Sequence, residues 1–93
     1  MTTTITIFFT ESGIPKTGLT PTITILDTNT GATVINAASC VAVGLGFYRY
    51  LFTYEANKDY SVLVDGGNTL LDTERYKYTS VPADTKIVSG TIA

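Results

Sequence analysis

The stretch Phe47-Tyr48-Arg49-Tyr50-Leu51-Phe52-Thr53-Tyr54 decides the fold. Successive side chains of an extended chain point to opposite faces, so Tyr48, Tyr50, Phe52 and Tyr54 share one face and Phe47, Arg49, Leu51 and Thr53 the other. Both faces carry apolar bulk. The stretch therefore reads as a central strand or as a strand at an interface. Gly44-Leu45-Gly46 in front of it marks a bulge or a tight turn, since no helix or Lys follows as a phosphate loop requires. Glu55-Ala56-Asn57-Lys58-Asp59 behind it turns the chain.

The same alternation recurs outward in both directions. Residues 3–10 alternate Thr with Ile and stop at Glu11-Ser12-Gly13, and 14–18 read as a loop. Thr20 to Asp27 alternates again, with Ile23 and Ile25 on one face. A polar turn, Asp27-Thr28-Asn29-Thr30-Gly31, links it to 32–36 as a hairpin. A short segment, 39–43, precedes the central strand. Tyr60, Val62 and Val64 lie together on the next strand, which Gly66-Gly67-Asn68 ends. Residues 69–74 read as a loop, 75–79 as a half-exposed strand alternating charge with aromatic, 81–84 as a turn and 85–92 as a last strand interrupted by Gly90. Seven to eight strands at roughly 8–12-residue spacing predict an all-β chain, a single antiparallel β-sandwich or small barrel spanning 1–93. Composition agrees: 18 of 93 residues are Thr, with six Tyr and four Phe, and branched and aromatic side chains favour a pleated surface.

Composition also excludes chemistry. There is no His, so Ser-His and Cys-His relays, imidazole metal ligands and an imidazole pH switch drop out. A net charge of −2 and a pI near 4.7 argue against nucleic acid as a partner. No apolar run reaches the roughly 20 residues that span a bilayer, so no membrane partner is expected. The first residues show no positive n-region, and synthesis in a cytoplasm without a signal peptide is the expectation. Cys40 is alone among small and apolar neighbours, the setting of a packed thiol.

Three constellations invite a site. Asp65, Asn68 and Asp72 around a Gly-Gly turn offer oxygen ligands for Ca²⁺, but match no fixed ligand register; Asp before Gly-Gly also serves a tight turn. Asp59 and Asp65 form a carboxylate pair with no third group, a poor basis for glycoside hydrolysis. No catalytic residue, metal ligand or cofactor is assigned. The Tyr set divides: Tyr48, Tyr50 and Tyr60 are expected in the core, and Tyr76 and Tyr78 either in the core or at an interface. Beside them Arg49, Arg75 and Lys77 suit a contact surface, and aromatic faces also bind carbohydrate. The strand 2–9 is long and uncharged, and such an edge templates pairing with another chain. Ile5, Ile7, Phe9, Arg49, Arg75, Tyr76 and Tyr78 are therefore the expected interface residues of a homo-oligomer.

The segment Gly44–Phe52, followed by Lys58-Asp59-Tyr60-Ser61-Val62-Leu63-Val64-Asp65-Gly66-Gly67, resembles small immunoglobulin-like or transthyretin-like β-sandwich modules of tailed-bacteriophage virion proteins. Thr20–Asp27 and Arg75–Tyr78 fit the same layout, so the resemblance covers about residues 18–79. It implies a non-enzymatic structural role in a virion, as capsid decoration or tail accessory, with virion lattice proteins as partners. A carbohydrate- or protein-binding recognition module of a fibre or cell surface is the alternative.

Overall fold

The computed structural model describes residues 1–82, and the strand expected at 85–92 lies outside them. The described chain is all-β and antiparallel. It comprises β1 (Thr2–Phe8), β2 (Thr10–Glu11), β3 (Ile14–Pro15), β4 (Thr22–Asp27), β5 (Thr33–Ser39), β6 (Val41–Gly44), β7 (Phe47–Thr53), β8 (Tyr60–Asp65), one helical turn α1 (Asp72–Arg75) and β9 (Tyr76–Val81). Three strands pair in the order β1-β7-β6 and four in the order β5-β4-β8-β9, while β2 and β3 form a small hairpin. The aromatic-rich β7 is central in its sheet, as its two apolar faces predict.

Parity explains the core. In the β1–β7 ladder Thr3 lies opposite Phe52, Ile5 opposite Tyr50 and Ile7 opposite Tyr48, so one face of each strand turns inward. In the other sheet Ile23 pairs with Val64 and Ile25 with Val62. Ile5, Phe9, Tyr48 and Phe52 from one side meet Ile23, Ile25, Tyr60, Val62 and Val64 from the other, with Leu70, in one buried cluster. Phe52 meets Tyr60 edge-on at 4.8 Å and Phe9 meets Tyr48 at 5.7 Å. Buried phenols require partners. The Tyr48 hydroxyl donates to Lys16 O at 2.8 Å and accepts from Leu19 N, and the Tyr60 hydroxyl accepts from Glu55 N. Tyr48 and Tyr60 are thus core residues, and Tyr50 is half-buried against the cluster.

Local differences from the sequence reading have plain causes. Residues 69–74 are not all loop, because Asp72–Arg75 close one helical turn with Glu74 N and Arg75 N both donating to Leu71 O. Arg75 therefore ends that turn, and β9 begins at Tyr76. Ile14 and Pro15, expected in a loop, pair with Glu11 and Thr10; Ser12 and Gly13 between them both have positive φ, as a two-residue hairpin turn of the I′ kind needs. Leu45 and Gly46 (φ 56° and 89°) repeat that arrangement between β6 and β7.

Candidate interaction surface

Two of the expected interface residues belong to the interior. Ile5 and Phe9 are buried: the β1–β7 register turns Ile5 toward the core, and Phe9, just past β1, donates its N–H to Gly46 O and packs beneath Gly66. The even residues Thr2, Thr4, Thr6 and Phe8 face outward instead. Ile7 is half-buried against the core.

Arg49 lies where the alternation puts it, exposed on the outer face of β7. Its neighbours on that face are Phe47 and Leu51 along the strand, Thr6 across from it on β1, and Val41 across from it on β6. Phe8 packs on Phe47 with ring centroids 4.8 Å apart. Phe8, Val41, Val43, Phe47 and Leu51 are all exposed, Leu51 by 59%. Leu45 stands at the hairpin tip, 79% exposed, with a positive φ uncommon for a bulky residue. The outer face of the three-stranded sheet is thus an apolar and Thr surface with one cation at its centre. Contiguous exposed apolar surface is a feature that interaction sites share, and Arg among aromatic residues suits an interface centre.

The other expected residues sit elsewhere. Arg75 is engaged in a two-pronged pair with Asp65, Nε to Oδ1 at 2.8 Å and the second nitrogen to Oδ2 at 3.1 Å. Gly67 N also donates to Asp65 Oδ1. The Arg75 hydrogen bond is the main cause that holds the Asp65 carboxyl below its ordinary pKa. Both oxygens of Asp65 therefore organise the turn. Glu74 receives Thr10 Oγ1, Ser12 N and Gly13 N; these donors, Ser12 N–H foremost, lower its pKa as well. It clamps the β2–β3 hairpin to α1. Among the described residues no group of three or more Cys, Asp or Glu gathers in metal-binding geometry. Burial raises the pKa of the Cys40 thiol, which disfavours the reactive thiolate.

Tyr76 is half-buried with the Arg75 guanidinium 4.8 Å from its ring centre. Tyr78 is 76% exposed and borders a shallow groove of about 350 Å³ on the outer face of the four-stranded sheet, with Thr24, Leu26, Ser61 and Leu63. Arg49 and Tyr78 therefore lie on different sheets. The sequence reading missed Phe8, Val41, Val43, Phe47 and Leu51 as surface partners of Arg49. The signal was present for Phe47 and Leu51, which share the parity of Arg49. For Phe8, Val41 and Val43 it needed the strand order. No protein-family model matches this chain, and searches of curated proteins and of solved structures return no match.

Proposed function

We propose that the chain is a non-enzymatic structural protein of a bacteriophage-type virion: an immunoglobulin-like β-sandwich that decorates or braces a capsid or tail. It self-associates and docks through the outer face of β1, β7 and β6. The observation that carries this reading is the exposed apolar face around Arg49, with Phe8, Phe47, Leu51 and Val41. A rigid sheet presents these side chains without the ordering cost of a mobile loop. On a lattice of repeated sites, modest single contacts sum to a firm hold. The sequence resemblance to phage virion modules supports the assignment to a particle.

The test is quantitative mass spectrometry of particles purified from cells that make the protein. The expected result is a copy number constant between preparations and matching a particle symmetry, lost in the Arg49→Glu variant. Absence from particles, or equal incorporation of the variant, overturns the reading.

A recognition module for carbohydrate has one observation in its favour, the exposed Tyr78 ring beside its groove. Aromatic faces stack on sugars, but apart from Tyr78 itself the polar residues lining the groove are Thr24, Ser61 and Thr79. Glycan-array binding that Tyr78→Ala abolishes would favour this second reading.

A further inference from the structure

Two charged side chains stand apart from the others in the fold. Lys16 pairs with Glu11, Lys58 with Glu55 and Asp27, and Arg75 with Asp65. Lys77 lies over the Phe9 ring and in the field of Glu74. Among the described residues, Arg49 is the one cation with no hydrogen bond, carboxylate or ring partner. The carboxylates divide in the same way. Glu11 and Glu55 hold lysines, Asp27 and Asp65 also accept backbone N–H groups, Glu74 receives three donors, and Asp59 is engaged as well. Among the described residues, only Asp72 accepts no hydrogen bond through its carboxylate and forms no ion pair. Arg75 is within its electrostatic reach, but both oxygens of Asp65 already hold that guanidinium.

Asp72 is exposed and so is Leu71 beside it, by 71%. The turn that carries them is fixed on both sides. Leu70 is buried, Leu71 O accepts from Glu74 N and Arg75 N, and Gly66 N donates to Arg75 O. A carboxylate beside an apolar side chain on so firm a base can dock with little ordering cost.

The outer face around Arg49 is the converse. The residues that share it on β1, β6 and β7 are apolar or Thr, so it carries one positive charge and no carboxylate. A two-fold contact sets a patch against itself. Arg49, at the centre, would then meet Arg49 of the second copy, and like charges facing each other across a contact are unfavourable. The face instead suits a surface that brings a carboxylate with an apolar neighbour. The chain displays such a surface elsewhere, at α1, between β8 and β9 of the other sheet.

We propose that the outer face around Arg49 receives the Leu71–Asp72 turn of a second copy. Asp72 of that copy lies against the guanidinium, and its Leu71 sits among the apolar side chains beside it. This rests on the reading of the face as the association surface, and names what fills it. The contact is heterologous: each copy offers its face to one neighbour and its turn to another. Assembly therefore continues as a ring or an open chain and does not stop at a two-fold dimer.

Light scattering over a hundredfold concentration range tests this with Arg49→Glu, Asp72→Lys, their double variant and wild type. Each single substitution sets like charges against each other in the contact and should weaken association about tenfold or more. The double variant restores opposite charges with the signs reversed and should recover most of the loss, which a variant that merely failed to fold could not do. A mixture of the two single variants should also associate, because the face of either then meets an opposite charge on the turn of the other. A double variant no better than the single ones overturns the proposal. Asp72→Lys that associates as wild type does, while Leu51→Glu stays monomeric, overturns this proposal alone and means that another surface fills the face. Leu51→Glu that associates as wild type does overturns the reading of the face, and this proposal with it.

Discussion

Gly66→Ala is the sharpest test of how the two sheets close. A Cβ at position 66 would lie 2.6 Å from Cε1 of Phe9 and 2.8 Å from Cδ1 of Leu70. Carbon atoms attract at about 3.5–4.0 Å, so the new methyl intrudes by about 1 Å. Phe9 is fully buried and its ring is held edge-on to Tyr48, so it has little room to move. Overpacking of a tight core costs about 1–3 kcal/mol, and the upper part of that range fits a double clash. Replacing Gly with Ala also restricts the unfolded chain, worth about 0.4–1 kcal/mol in the opposite direction. A net loss of about 2 kcal/mol follows, or about 8–16 °C in Tm for a domain near 100 residues. Thermal and urea denaturation measure it. The double variant Gly66→Ala/Phe9→Leu should recover part of the loss, because the shorter side chain vacates the ring edge. A Gly66→Ala protein as stable as wild type would refute the packing of Phe9 beneath this turn.

Phe52→Ala, at a side chain 1% exposed, should cost about 3–5 kcal/mol, whereas Leu51→Ser on the opposite face should stay within about 0.5 kcal/mol. Urea denaturation of both variants tests the parity of β7, and similar losses would contradict it. Asp65 is held below its ordinary pKa by Arg75. Its pairing therefore stabilises fully above the ordinary carboxylate value, about pH 4, and the contribution disappears as pH falls through the lower folded value. Asp65→Asn should be less stable than wild type at neutral pH, with the gap closing below about pH 4; a gap independent of pH would contradict the ion pair. Because burial raises the Cys40 pKa, a thiol reagent near neutral pH should label the native chain more slowly than the urea-unfolded chain. Equal rates would place the thiol in solvent.

Much of the fold was legible because strands advertise themselves by parity. Phe47–Tyr54 and Tyr60–Asp65 alternate strictly enough to group the residues that share a face, and Tyr48, Phe52, Tyr60, Val62 and Val64 are buried together; in Thr20–Asp27 the same alternation buries Ile23 and Ile25 but also Asp27, and leaves Leu26 only partly covered. What stayed hidden depends on contacts distant in sequence. The β2–β3 hairpin is clamped by Glu74, more than 60 residues away, and nothing near Ser12 announces that partner. The helical turn at Asp72–Arg75 is too short for a 3.6-residue period to register, and its last residue is held by Asp65. Ala37, with φ 51° inside β5, carries no turn signature of its own; its N–H reaches Thr24 Oγ1 on the neighbouring strand. The interface residues were half legible for the same reason. An uncharged strand such as 2–9 says that pairing is expected, but the register with β7 decides which face is buried. That register sends Ile5 inward and leaves Phe8 beside Phe47 outside.

Solution mass by light scattering across a hundredfold concentration range tests association through the outer face most directly. Wild-type protein is predicted to grow in mass with concentration, and Leu51→Glu, with its fold intact by circular dichroism, to remain monomeric throughout. A wild-type monomer at every concentration, or association that Leu51→Glu leaves unchanged, would contradict it.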